Sequence, residues 1–555
     1  MFRASAALAA ATCLLLAACT AGNDSAAGPD AVATASPGET TEDPGDGTPE
    51  PDVTPTEPSL ESGDAVLNVA IPDPSTLDPM LLGDPGSILV ARQLYEGLTA
   101  WDQERGEVVP AAAESWDVEK GGARFVFHLR DGIRFHDGTP VTASDFRYAF
   151  DRIAQKRNAS DLAYTLELVK GFDAVNRFGV GDGLRGLKTP DDATLVIELS
   201  EPFYEFPVVL THPGLVPLPE KQVRDLDSFL KEPVGNGPFQ IARPWQPESS
   251  VVLEASDSFY EPPALDGVQF VPFADAAESW IPFGDGDIDV AEVPVGQVQT
   301  AADAYGTRGY TQFLTGYYYA FNLDAGRLRD RRVRKAIALA IDKRRIAGRI
   351  YKGNMEPLDG VVPPGMPGFE GNGCSDPCRP NLAAARRMVG KLPKAARSIP
   401  LEFTSGQPHT RVAASVARDL RKVGFNVKVR SFAFSKYLKR LSEGKQGFYR
   451  LGWIAEYPSP DVFLGPLFGS DSPDNHTGFR SKRFDRLIEK AHRVEDDSRR
   501  TVLYRKAERT LLRADVIVPI GSFINRWAAR PEVEGIEFDV LGGFDAAEVT
   551  LDQDG

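Results

Sequence analysis

The stretch FVFHLRDGIRFHDGTPVTASDFRYAF, Phe125 to Phe150, changes its hydrophobic period partway along, and that change decides the fold class. Phe125, Phe127 and Leu129 alternate with Val126 and His128, the period-two signature of a strand with one buried face. Asp131-Gly132 has the residues of a two-residue hairpin turn, after which Ile133 and Phe135 are expected to return as a second strand. Thr142 with Asp145 three residues on reads as a reciprocal helix cap, and Phe146, Phe150 and Ile153 then recur at helical spacing. Strands feeding helices in this way indicate an α/β protein.

The same reading extends outward in both directions. Val66–Ile71 is expected to be a strand, ended by a turn at Leu77-Asp78-Pro79, and a helix carrying Ile88, Leu89 and Leu94 follows, with Gly97 as its cap. Towards the C-terminus, helices over Asp330–Ile346, Thr410–Val423 and Arg499–Leu512 alternate with strands over Phe425–Val429 and Ile517–Ile520. The cations from Arg327 to Arg345 read as a solvated helix face.

At 555 residues the chain exceeds what one core organises, and two to four domains are expected. Hydrophobic content of 42% with 25% charged residues is ordinary for a globular protein. A net charge of −17 excludes a nucleic-acid binder, which needs a basic face. Much of that charge is local: between Arg3 and Arg92 there is no Lys or Arg, while Glu39, Glu42, Asp43, Asp46 and Glu50 accumulate.

Residues 1–18 read as an export signal, with Arg3 ahead of an apolar run from Ala4 to Leu16 that is short for a membrane span. Leu16-Ala17-Ala18-Cys19 resembles the lipobox of bacterial lipoproteins, which implies cleavage before Cys19 and a diacylglyceryl group on its thiol. At roughly 0.8 kcal/mol per buried methylene, two or more acyl chains hold a protein stably at the cell membrane, on its extracytoplasmic face. Residues 19–64 are rich in Thr, Pro, Gly, Ala and acids and contain no aromatic residue, the composition of a disordered tether. A coil of about 45 residues spans roughly 35–40 Å. Cys374 and Cys378 flank Asp-Pro in a loop and, outside the cytosol, read as a small disulfide ring. The alternative, a metal site, wants two further ligands that no nearby His supplies.

No enzyme motif is present: there is no GxSxG elbow, no HExxH and no phosphate loop. The six histidines, His128, His136, His212, His409, His476 and His492, are scattered, and neither cofactor nor metal is expected.

A second informative stretch is RLGWIAEYPSPDVFL, Arg450 to Leu464. Read as a strand it places Arg450, Gly452, Ile454 and Glu456 on one face, with Leu451, Trp453 and Ala455 on the other. Six residues at about 3.3 Å separate the two charges by on the order of 20 Å, room for a zwitterionic chain. Pro458 and Pro460 then stop the strand, lacking the N–H a ladder needs. Two charges solvated or paired elsewhere are the competing reading.

Five motifs in order, LDP, LYEGLT, FHLRDGIRFHDGTPVTASDF, GNGPF at Gly235–Phe239 and FNLDAGRLRDRRVRKAIALAID at Phe321–Asp342, resemble the family 5 solute-binding proteins of ABC importers, the oligopeptide-, dipeptide- and nickel-binding proteins. The resemblance implies a periplasmic-binding-protein-like type II fold: two α/β lobes around a ligand cleft, with a small extra domain. Carried onto this chain, lobe I holds 65–95, 211–314 and 525–555, the extra domain 96–210 and lobe III 315–524. It further implies a monomeric, lipid-anchored binding protein that captures short peptides and delivers them to a permease whose partner ATPase supplies the missing phosphate loop. By the same resemblance Glu456, where the family more often has Asp, receives the peptide's α-amino group. Arg450 and His409 receive its carboxylate, as a planar Arg fork suits. Gly452 and Ile454 offer main-chain bonds to an extended peptide. Phe434, Trp453 and the tyrosines from Tyr317 to Tyr319 are candidate walls, and Glu292 a candidate from lobe I. Two other readings stay open: a nickel-chelate or other small-solute binder of the same fold, and a sensing or adhesion lipoprotein with a lapsed cleft.

Overall fold

The computed structural model describes residues 65–369 and 380–552. The expected signal segment, Cys19, the tether and the Cys374–Cys378 pair lie outside the described residues.

Among the described residues the largest element is a twelve-stranded sheet. From one edge its order runs Asn426–Phe432, Ser398–Thr404, Phe448–Ile454, Thr315–Phe321, Ile517–Ala529, Val290–Glu292, Val66–Ile71, Gly267–Pro272, Val251–Ala255 and Phe239–Ile241. The short strands Tyr310–Gln312 and Met355–Pro357 also pair with Ile517–Ala529. That strand, 13 residues long, joins the two halves of the sheet. Its first residues, Ile517 to Gly521, run antiparallel to Ala320–Tyr317, and its last three, Trp527 to Ala529, pair with Glu292–Val290. Its middle is where the halves meet.

Every residue of Thr315–Phe321 is buried, as a strand covered on both faces must be. Alternation sends Tyr317 and Tyr319 into one core and Tyr318 into another, so this strand separates two apolar bodies. No helix among the described residues is long and apolar enough to cross a membrane.

A separate antiparallel sheet has the order Ala113–Glu119, Arg124–Leu129, Thr194–Glu198, Leu187–Asp191. Helix Ala143–Ala154 packs against it and begins with the expected cap: Asp145 Oδ2 accepts from Thr142 N at 2.8 Å and from Thr142 Oγ1 at 2.7 Å. Phe146, Phe150 and Ile153 are buried. Helix Ala143–Ala154 is tied to the Leu77-Asp78-Pro79 turn by a buried fork, Arg152 Nη1 and Nη2 donating to Asp78 Oδ1 and Oδ2 at 2.7 and 2.5 Å.

Four local expectations change. Ile133–Phe135 does not return beside Arg124–Leu129, because both edges of that strand are already taken by Ala113–Glu119 and Thr194–Glu198. Asp131-Gly132 does turn, with Gly132 at φ 77°, but Ile133 folds onto its own continuation, Val141 N donating to Ile133 O at 3.0 Å. The helix expected over Asp330–Ile346 is two, Arg331–Ala340 and Lys343–Ile350. Asp342 breaks it by capping the second, its carboxylate accepting from Arg345 N at 3.0 Å. Gly97 is not a cap: helix Pro85–Leu94 ends at an extended Tyr95. A Cβ on Gly97 would lie 3.2 Å from Leu210 O, so close backbone approach is what this glycine serves. Within the Arg327–Arg345 run, Arg334 and Lys343 are buried rather than solvated. Arg334 donates to Asp515 O and Leu328 O, and Lys343 to Leu358 O, at 2.7–2.8 Å.

Candidate ligand cavity

Where the two halves of the sheet meet, the middle of Ile517–Ala529 forms one wall of a cavity of about 480 Å³. Phe523 to Trp527 face it from that strand, Trp453 to Glu456 from the end of Phe448–Ile454, and Glu292 from the end of its own strand. Helix Pro85–Leu94 and residues Asp161, Leu162 and Tyr164 contribute further wall.

The electrostatics of this cavity are lopsided. Glu456 lies two residues past the end of the strand, and its Oε2 is buried with no hydrogen-bond partner. Burial, then repulsion from Asp161, pushes its carboxyl up to about 8. Burial alone raises Glu292 to about 7 and Asp474, also on the wall, to about 6. Of the cations on the wall, Arg92 is engaged with Asp539. Arg526 donates through Nε to Asn354 Oδ1 at 3.0 Å and through Nη2 to Gly353 O at 2.6 Å, its guanidinium 4.7 Å from the Tyr310 ring centre. Arg411, in the first turn of helix His409–Lys422, is exposed at the cavity. Two buried donors on the wall, Trp453 Nε1 and Asn525 Nδ2, have no hydrogen-bond partner. A buried carboxylate without a cation and buried N–H groups without acceptors are costly in an empty cavity, and a zwitterionic guest supplies both complements.

The backbone offers a further edge. Strand Phe448–Ile454 pairs with Thr315–Phe321 along its length, but with Ser398–Thr404 only through Phe448 and Tyr449. Beyond Tyr449, the side away from Thr315–Phe321 has no strand neighbour among the described residues, and Arg450 O accepts from the Tyr437 hydroxyl at 2.6 Å, so only the stretch from Trp453 onward reaches the cavity.

Of the residues singled out from sequence, Glu456, Ile454, Trp453 and Glu292 line the cavity, whereas Arg450, Gly452, His409 and Phe434 do not. Arg450 is buried with its guanidinium 4.5 Å from the Tyr317 ring centre, and the Tyr317 hydroxyl lies 3.3 Å from His409 Nδ1. Burial and the Arg450 charge push His409 down to about 3, so it is neutral at pH 7. Tyr317 meets Tyr351 and Phe523 edge to face, and those two rings, not Tyr317 itself, form the cavity wall. The Arg450–Tyr317–His409 group therefore stands one ring behind the wall. Phe434 begins helix Phe434–Ser442 and is exposed. Arg411, Arg526, Asn525 and Asp161 escaped the sequence reading. Arg411 is two residues past His409, and the alternation of Phe523, Asn525 and Trp527 was the available sign that the last strand runs on.

The match to known proteins is extensive. Residues 107–475 match the model of the bacterial extracellular solute-binding proteins, family 5 Middle. The dipeptide-binding protein DppE of Bacillus subtilis is 27% identical over 501 residues, covering 87% of this chain and 91% of that protein. The periplasmic oligopeptide-binding protein OppA of Escherichia coli is 29% identical over 479 residues, 83% of this chain and 87% of that one. Among solved structures, Haemophilus influenzae OppA in complex with RPPGFSPFR superposes with a TM-score of 0.70 at 23% identity, over 88% of this chain and 99% of that one. The chain has the type II periplasmic-binding-protein-like fold and belongs to the bacterial extracellular solute-binding proteins of family 5.

Proposed function

We propose that this protein is the lipid-anchored, ligand-capturing component of an ABC importer for short peptides. The carrying observation is the Glu456 carboxylate on the cavity wall, its Oε2 buried and unpartnered and, among the described residues, with no cation acting on it. A peptide's α-ammonium ion restores its ionisation and removes the cost of leaving it bare. The cavity end of the strand, at Trp453 and Ile454, offers main-chain groups to an extended peptide, reading backbone rather than side chains. Trp453 Nε1 and Asn525 Nδ2 donate to peptide carbonyls. Arg411 takes the carboxylate, at the positive end of helix His409–Lys422, with Arg450 adding positive potential from behind the Tyr351 and Phe523 rings. The names of the relatives, dipeptide- and oligopeptide-binding proteins, support the same class of ligand.

Cys19 anchors the protein through its acyl groups, the tether lets the body stand clear of the lipid, and the permease and ATPase are separate chains. Native mass spectrometry of the protein purified from cells tests this. Co-purified masses spread over several short peptides are expected, and a single non-peptide mass would overturn the reading.

A further inference from the structure

Phe178 and Val180, 72% and 65% exposed, are two of the three most exposed large hydrophobic residues among the described residues, and they share one loop outside the ligand cavity. We infer that this loop is a membrane-contact tip: Phe178 and Val180 enter the interface of a bilayer containing anionic lipid, and the cations around them meet its headgroups. The inference goes beyond the peptide reading, and it rests on the lipid anchor only for bringing a bilayer within reach.

The backbone of the loop is built to hold both side chains out. Asp173–Arg177 form a wide helical turn, closed by Phe178 N donating to Asp173 O at 3.0 Å, and Val180 N then donates to Ala174 O at 2.7 Å. On either side of Val180, Gly179 and Gly181 take φ 66° and 84°, a region that glycine enters without strain. The preceding segment braces the loop, with Lys156 Nζ donating to Arg177 O at 3.1 Å and Gln155 Nε2 to Asp182 O at 2.7 Å. Held at both ends, the loop keeps two apolar side chains in water, a cost that a covering apolar phase removes.

Charge selects the partner. Lys156, Arg157, Arg177 and Arg185 stand exposed around the tip, against two acids, Asp182 at 3.2 Å from Arg157 and Asp173 at 3.0 Å from Arg177. The rim is cationic in a chain whose net charge is −17. An aromatic and a branched aliphatic side chain inside a cationic rim suit the headgroup boundary of an anionic bilayer. Ile281, the third side chain of comparable exposure at 70%, has no such rim: the charged residues of its helix, Ala276–Asp285, are Glu278 and Asp285. A tether of roughly 35–40 Å lets the body settle onto the surface as well as stand clear of it. Seating the tip turns one face of the body to the membrane, which a tether alone does not.

Vesicle flotation of residues 19–555 carrying Cys19→Ser, so that no acyl group contributes, tests the inference. Partitioning onto vesicles of equal phosphatidylcholine and phosphatidylglycerol is expected to exceed that onto phosphatidylcholine alone by about tenfold or more. Adding Phe178→Ser and Val180→Ser together is expected to lower it about tenfold. In proteoliposomes of the lipidated protein, brominated acyl chains are expected to quench the indole of Phe178→Trp, read against the unmodified protein, and to spare that of Ile281→Trp. Equal partitioning with and without the double substitution, or a Phe178→Trp indole that brominated lipid leaves unquenched, would overturn the inference. Absence of partitioning onto protein-free anionic vesicles would overturn it too and leave a protein partner as the occupant. Whether Cys19→Ser leaves the membrane fraction of cells tests the anchor separately, so the two readings fail independently.

Discussion

Glu456 and Asp161 face one cavity from distant parts of the chain, and the Asp161 charge adds to the burial that lifts the Glu456 carboxyl to about 8. An acid raised in the folded state binds more protons folded than unfolded between its ordinary range and its raised value, so stability falls as pH climbs through that window. For the ligand-free protein the thermal midpoint is therefore expected to fall from pH 7 to 8.5, above the range in which the histidines held down by burial take up protons on unfolding, with Glu292, at about 7, contributing over the lower part. Glu456→Gln flattens the slope. A midpoint that rises across this range in the ligand-free protein would contradict the assignment.

Ligand binding has the opposite dependence. A free-amine peptide is expected to bind more tightly from pH 6 towards 8, since its ammonium ion needs the ionised carboxylate, until the ligand's own amine begins to lose its proton near 8. Calorimetry in two buffers of different ionisation heat checks this, and net proton release at pH 7 is the expected result.

The fork between Asp78 and Arg152 ties the Leu77-Asp78-Pro79 turn to helix Ala143–Ala154 with both side chains almost fully buried. Asp78→Ala leaves the guanidinium buried and unpaired, and a loss of about 3–5 kcal/mol is expected in denaturant unfolding. The double variant Asp78→Ala, Arg152→Met is expected to recover part of that loss, because it removes the stranded charge.

Gly235 and Gly237 of the GNGPF motif clasp the end of helix Pro85–Leu94. A Cβ would come within 1.9 Å of Leu94 O at Gly235 and within 2.6 Å of Gln93 O at Gly237. Asn236 between them exchanges two hydrogen bonds of 3.0 Å with the backbone of Glu96. Gly235→Ala is expected to cost about 1–3 kcal/mol or more, as overpacking against backbone does, whereas Gly284→Ala, where a Cβ meets nothing within 4 Å, is tolerated.

What the sequence revealed and what it hid divide by range. The Thr142 cap, the strand Val66–Ile71 and the phenylalanine faces depend on residues a few positions apart, and period alone exposes them. The failed hairpin at Asp131-Gly132 depends on Thr194–Glu198, far along the chain, which occupies the edge that Ile133 would have needed. The same holds at the cavity. Glu456 stood out because prolines follow it and an anion ends an alternating strand. The position of Arg450 behind the wall depends on the Tyr317 ring, which the cross-strand register places diagonally to it, opposite Gly452, and no local pattern encodes. Asp161 and Arg526 are ordinary surface-type residues in sequence, and only the tertiary fold brings them to one cavity.

The most direct test of the central claim compares a free-amine tripeptide with its N-acetylated form in titrations of the unmodified protein and Glu456→Gln. Glu456→Gln is expected to weaken the free-amine peptide by tenfold or more, the scale of a lost charge-assisted contact, and to leave the acetylated one within about threefold. Equal losses for both peptides, or no loss for either, would contradict the account.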